Sequence, residues 1–294
     1  MKGIINTIKT NYIDKYIGDS QYKKNVIVMV VGRVIAQALP ILITPLLTRI
    51  YSPEEFGIFA IYSTVVSLIA MISNGRYCLS IILPKEKEMA KYLVFLSSFL
   101  TILVTVIFYI TTLILGSKIF GALNASSIND YTFLLALNIL LVGLYEAIYF
   151  YALREKEFRL LSSSVIVQAI VLVSVRIITG LLGYTNVGLV ISYILGFLVA
   201  YIQLIVKLKL RIDFQLFKSN IKGLFLKYIN FPKFSLFSDT LGNLSNSLPN
   251  IFLNKIFGSG EVGYLSLSDK ILGTPIWFIT SSVGDVFKQE ASEL

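Results

Sequence analysis

Two apolar runs joined by a seven-residue polar turn constrain this chain more than any other feature. The first, Val26 to Thr48, is interrupted by Arg33, Gln37, Pro40 and Pro45. The turn Tyr51-Ser52-Pro53-Glu54-Glu55-Phe56-Gly57 follows, and a second run from Ile58 to Leu83 carries Arg76 and Tyr77 near its end. A helix rises about 1.5 Å per residue and a bilayer core is about 30 Å thick, so each run is long enough to span. The stretch from Asn25 to Pro84 therefore reads as a transmembrane hairpin. Its arginines and prolines imply one face turned to water or substrate.

Composition extends this reading to the whole chain. Of 294 residues, 55% are hydrophobic and 15% charged, against about 25% charged in soluble domains. The formal charge of +9 comes from lysines and arginines in the gaps between apolar runs, which fits membrane topology rather than a nucleic-acid surface. The chain has no histidine, which removes imidazole ligands and His-based acid–base chemistry. Its single cysteine, Cys78, lies inside an apolar run and has no internal partner. No clustered carboxylate pair lies at a membrane face, and the external gaps are too short for a folded catalytic domain. A non-enzymatic protein without a cofactor is expected.

The fold class expected is an all-α polytopic bundle of eight spanning helices, at about 25–48, 57–83, 92–115, 131–153, 161–182, 187–206, 234–256 and 262–284. Residues 1–24 form a basic amphipathic tail with no signal-peptide cleavage site, so the first span is expected to direct insertion. Of the 26 lysines and arginines, nineteen fall in gaps on one side of this arrangement and three on the other; Arg33, Arg76, Arg176 and Lys270 fall within spans. That bias places both termini in the cytoplasm. In the gap 207–233, Leu210, Phe214, Phe217, Ile221, Leu224, Tyr228 and Phe231 recur at helical spacing among lysines. This predicts an interfacial helix, apolar face toward lipid, linking a six-helix bundle (25–206) to a second unit (234–294).

The end of the chain echoes its beginning. Ile50 to Gly57 overlies Ile256 to Gly263 at an offset of 206, matching Ile with Ile, aromatic with aromatic, Glu55 with Glu261 and Gly57 with Gly263. Upstream, Leu39-Pro40 recurs as Leu248-Pro249 at an offset of 209, a slip of less than one helical turn. Both hairpins start on the same side, so two parallel repeats are expected. By this period the second half stops after two of six helices, and the chain is expected to be truncated.

Residues 51–59 (Tyr-Ser-Pro-Glu-Glu-Phe-Gly-Ile-Phe) and 76–85 (Arg-Tyr-Cys-Leu-Ser-Ile-Ile-Leu-Pro-Lys) resemble the multidrug/oligosaccharidyl-lipid/polysaccharide exporter superfamily. Within it the chain is most similar to the Wzx-type polysaccharide (O-antigen and capsule) flippases, and Gly258 to Ile271 is similar to that family's seventh and eighth helices. The resemblance implies two six-helix bundles around an alternately accessible cavity in the bacterial inner membrane. Its implied substrate is an undecaprenyl-pyrophosphate-linked oligosaccharide, moved from the cytoplasmic to the periplasmic leaflet for surface polysaccharide biosynthesis. The implied partners are the bilayer, that lipid-linked glycan, a polysaccharide polymerase and other assembly proteins, and no nucleic acid.

Charges in a bilayer core are costly and normally face a bundle interior or aqueous cavity. Arg33, Gln37, Thr44 and Thr48 share one helical face; Ser235, Asp239, Asn243, Asn246, Asn250 and Asn254 share another. At the 206 offset Arg33 overlies Asp239 and Gln37 overlies Asn243. The functional reading is a cavity in which Arg33, Arg76, Arg176 and Lys270 contact a pyrophosphate, arginine offering two parallel donors. The asparagines, Tyr62 and Tyr145 would meet sugar. The plainer reading pairs these charges internally, Arg33 with Asp239 and Lys270 with Asp269 or Glu146, and lets Arg76 snorkel. Glu146, Asp239 and Asp269 are the intramembrane acids available for ion coupling. Pro40, Pro45, Pro249 and Pro275 are candidate kinks or hinges. An ion-coupled multidrug exporter of the same fold and a non-transporting remnant are the alternative functions.

Overall fold

The computed structural model describes residues 21–122, 124–210, 221 and 223–273, with side chains from residue 27 onward. Among them there is no strand. Besides helical residues at 223–227, the α-helices among the described residues follow in the order α1 (Gln21–Ile50), α2 (Pro53–Ser73), α3 (Tyr77–Ser80), α4 (Lys87–Ala122), α5 (Thr132–Arg154), α6 (Phe158–Leu181), α7 (Thr185–Leu208), α8 (Leu236–Phe257) and α9 (Ser259–Ser268). A 3-10 turn precedes α5, and π-helical turns at Phe231–Ser235 and Asp269–Gly273 precede α8 and follow α9.

Six helices, the long parts of α1, α2, α4, α5, α6 and α7, are long and apolar enough to cross a membrane, with mean hydropathies between 2.0 and 2.5. The protein is a multi-pass membrane protein. These six correspond to the first six expected spans. The expected seventh span is α8, a helix of spanning length whose Asp239, Lys255, serines and asparagines keep it out of that set. The eighth lies partly outside the described residues, as do Pro275, most of the tail 1–24 and 211–220 of the linker.

Two boundaries differ from expectation. The second span was expected to run to residue 83, but α2 ends at Ser73. Asn74 is its C-cap, Gly75 takes a φ of 57° and Arg76 a φ of 59°, so the chain leaves the helix through two left-handed residues. Asn-Gly is a turn signal, and Gly carries no penalty in that region. The third helix was expected over 92–115, but α4 extends from Lys87 to Ala122. Its polar first turn is held by Lys91 to Glu88 at 2.6 Å and Lys87 to Glu155 at 2.5 Å. The linker also departs from its expected lipid-facing pose: Leu224 and Tyr228 are buried against Tyr77, Tyr92 and Leu93, and Tyr77 donates to the carbonyl of Phe225 at 3.1 Å. Protein, not lipid, takes that part of its apolar face.

The helix α1 passes unbroken through Pro40 and Pro45. It packs along α6, α6 along α7, α7 against α5, and α5 against α4 and α2. The second hairpin joins this bundle through α2, which α9 crosses closely and α8 also touches. Ser52 starts α2 with a reciprocal cap: its hydroxyl accepts from the Glu55 amide at 3.3 Å, and its own amide donates to Glu55 Oε2 at 2.8 Å. At the repeat-related position α9 starts from Gly258 (φ 95°), so no side chain can reproduce that cap.

The crossing of α2 and α9 is where the sequence repeat becomes geometry. A Cβ on Gly57 would overlap the Ser259 carbonyl oxygen and lie 3.0 Å from Gly263 N. A Cβ on Gly263 would overlap the Pro53 carbonyl oxygen and lie 3.2 Å from Gly57 N. Pro53 and Ser259 are also 206 residues apart, so each glycine meets the counterpart of the residue that its own counterpart meets. Such reciprocity is the signature of a two-fold relation. Gly57→Ala and Gly263→Ala are each expected to lower stability in detergent by roughly 1–3 kcal/mol through overpacking. The double variant should lose less than the sum, because one contact is relieved only once; thermal unfolding of the four proteins checks this.

Candidate functional site

The turn that ends α2 builds the first polar cluster. Asn74 Oδ1 accepts from the Arg76 amide at 2.9 Å, a side-chain turn that supports the left-handed Arg76 backbone. The Asn74 side chain in turn donates through Nδ2 to Glu146 Oε2 on α5 at 2.6 Å. Arg76 donates through Nη1 to Glu146 Oε1 at 3.2 Å. Its Nε and Nη2 both point at Asp239 Oδ2 on α8, at 2.7 and 2.6 Å. One guanidinium thus bridges a carboxylate of the first bundle and a carboxylate of the second hairpin. Arg76 does not snorkel; its side chain is only 14% exposed. Asp239 pairs with Arg76 rather than with Arg33, and Glu146 with Arg76 rather than with Lys270.

The second cluster has the opposite balance. Arg176 on α6 is buried, with its Nε donating to Ser192 Oγ on α7 at 3.0 Å and its guanidinium 4.8 Å from the centre of the Phe59 ring on α2. Lys270 Nζ lies 5.5 Å from the Phe56 ring centre and 6.0 Å from that of Phe59. Among the described residues neither cation has a carboxylate within ion-pairing distance. Ring faces attract cations but do not neutralise them. Lys270 also lines a cavity of about 630 Å³ with Gln37, Pro40, Asp269 and Gly273. Asp269 is beside Lys270 in sequence but makes no ion pair with it.

The polar turn 51–57 positions this cluster. Tyr51 donates to the Arg176 carbonyl at 2.7 Å, with its oxygen 3.0 Å from Thr179 Oγ1. It fits there because Gly180 and Gly188 leave its ring and hydroxyl space that a Cβ would fill. Phe56 and Phe59 on the following helix then supply the ring faces.

The remaining sequence-derived residues divide. Gln37 faces the cavity, and Arg33, four residues earlier on α1, is exposed, with its guanidinium hydrogen-bonded to the Tyr149 hydroxyl and 5.9 Å from that ring centre. Asn243 is 2.9 Å from Met71 Sδ, Asn246 is exposed and Asn250 half-buried. Tyr62 is fully buried, donating to the Leu134 carbonyl and accepting from Asn138, so it belongs to the core rather than to a sugar site. Tyr145 is also buried, but within a file of rings: Tyr149, Tyr145, Phe197, Tyr193 and Phe59 succeed one another at 5.9, 5.5, 5.1 and 5.7 Å. That file links Arg33 to Arg176. Sequence reasoning did not single out Asn74, Tyr149, Ser192 or the two phenylalanines as site residues; of these only Asn74, before Gly75, carried a local signal.

Two findings from comparison with known proteins complete this picture. The family model described as polysaccharide biosynthesis protein matches residues 46–294, and the chain belongs to that family. No curated protein and no solved structure matches it.

Because Arg76 holds two acids at once, Arg76→Gln and Asp239→Asn should not act independently. A double-mutant cycle on unfolding in detergent is expected to give a coupling of about 1–3 kcal/mol, and Arg76→Gln alone should be the more harmful change because it strands Glu146 and Asp239 together.

Proposed function

We propose that this member of the polysaccharide biosynthesis protein family is a Wzx-type flippase. Its substrate is an oligosaccharide carried on a polyprenyl pyrophosphate, moved from the cytoplasmic to the outer leaflet of the bacterial inner membrane. The observation that carries the reading is the pair Arg176 and Lys270: two cations on one aromatic ring, without an acid among the described residues, beside a cavity between α1 and the end of α9. A cation unpaired in hydrocarbon is held at a cost of at least a few kcal/mol on insertion scales. An anionic substrate offsets that cost when it binds, which ties the charge pattern to a phosphate-bearing cargo.

In this reading the eight helices span the membrane with both termini in the cytoplasm, and the chain transports without chemical conversion and without a cofactor. The pyrophosphate meets Lys270 and Arg176, with Arg33 and Gln37 on the α1 wall of the approach. The sugar meets the asparagine face of α8. Arg76 with Glu146 and Asp239 is a latch between the bundle and the second hairpin, whose opening accompanies alternating access; Glu146, Asp239 and Asp269 are the acids through which an ion would couple. A polymerase and other assembly proteins receive the translocated unit.

The test is surface polysaccharide in cells that depend on this protein. Arg176→Gln and Lys270→Gln are each expected to reduce it at least tenfold with normal membrane insertion, and Lys270→Arg to retain most of it. Full polysaccharide from both Gln variants would remove the basis for the reading. Loss of drug resistance with unchanged polysaccharide would instead favour the multidrug exporter.

A further inference from the structure

On the side of α2 away from the cation pair, α4 and α8 stand apart over a cleft. Its volume is about 340 Å³, and Ile61, Val65 and Ile69 of α2, Phe108 and Phe120 of α4 and Ile251 of α8 line it. The threonines at its edge turn their hydroxyls inward: Thr111 donates to the Ile107 carbonyl at 2.8 Å and Thr112 to that of Phe108 at 3.0 Å. Methyl groups are what they leave for an occupant.

Three features say what the cleft takes. One end is strapped shut by reciprocal hydrogen bonds, Asn124 Nδ2 to the Asn254 carbonyl at 3.2 Å and Asn254 Nδ2 to the Asn124 carbonyl at 3.0 Å, which tie the end of α4 to α8. The walls therefore keep their spacing rather than collapse. The lining offers too few polar partners for water, and an apolar cavity of this kind stays dry. Its mouth, at Thr111 and Ile119, is continuous with the exposed stripe Ile107, Ile110, Leu113 and Ile114. That stripe lies on a membrane-length helix, where the adjoining medium is bilayer hydrocarbon.

We infer that the cleft between α2, α4 and α8 binds one acyl chain of a bilayer phospholipid. The chain enters sideways from the bilayer past Ile119 and Thr111 and lies along the cleft, whose surface end the Asn124–Asn254 strap closes. It lies in the half of the bilayer away from Lys87 and Lys91, at the opposite end of α4. Dispersion contacts along the walls hold it, since an empty cleft leaves those atoms without partners on one side. Because α4 belongs to the first bundle and α8 to the second hairpin, the bound chain is part of the packing between them.

Native mass spectrometry of the full chain, extracted briefly in mild detergent, tests this. The unmodified protein is expected to retain one phospholipid per chain. Thr111→Trp, which blocks the exposed mouth, and Val65→Phe, which fills the interior, should each reduce that retention at least tenfold while the helical circular dichroism is unchanged. Leu103→Trp, on the lipid-facing side of α4 outside the cleft, should keep the lipid. Equal retention in Thr111→Trp and Leu103→Trp would overturn the inference, as would a bare unmodified protein or a retained species that is a polyprenyl lipid.

Discussion

A charge placed in hydrocarbon is costly unless something meets it, and the four basic side chains within the expected spans are met in three different ways. Arg76 is paired twice, with Glu146 and Asp239. Arg33 is exposed and rests on Tyr149. Arg176 and Lys270 are surrounded by ring faces and hydroxyls but by no acid among the described residues. With its carboxylates ionised the first cluster carries one net negative charge, whereas the second holds two basic groups and no acid among the described residues. Helix packing keeps them apart, so neither cancels the other. A bundle selected only for stability has no reason to maintain that separation, since pairing would relieve both.

The close crossing at Gly57 and Gly263 makes the separation possible. With no Cβ on either residue, the first turns of α2 and α9 approach backbone to backbone. That approach brings Lys270, two residues beyond α9, against Phe56 and Phe59 on α2. Tyr51, in the turn before these rings, fixes the carbonyl of Arg176. The polar turn 51–57 therefore has two structural duties: it caps α2, and through Tyr51 it holds the backbone of Arg176.

Much of this organisation was legible in the sequence, for identifiable reasons. Apolar runs of membrane length located the helices that became Thr132–Arg154, Phe158–Leu181 and Thr185–Leu208 to within a few residues. The 206-residue offset pairs Gly57 with Gly263, because a glycine needed for close approach leaves a mark on the sequence. The end of α2 was not found because hydropathy continues through Tyr77 to Leu83; Asn74-Gly75 was the available signal, and it was overridden by the apolar run. The extension of α4 was missed for the converse reason, since its lysines and glutamate end an apolar run but form a helix well. Which cation meets which acid depends on the rotational phase of each helix and on the turn at Arg76, and neither can be read from spacing. Hence Arg33 and Asp239, superposed by the repeat, have different partners.

The proposal for function rests on an anion satisfying Arg176 and Lys270, and direct binding is the measurement closest to that point. Purified protein in detergent, titrated with a polyprenyl pyrophosphate by microscale thermophoresis, should show saturable binding that weakens steeply with salt and is lost in the Arg176→Gln/Lys270→Gln double variant. The same lipid without its pyrophosphate should bind no better to the native protein than to that variant. Equal affinity of the native protein and the double variant for the pyrophosphate would contradict it.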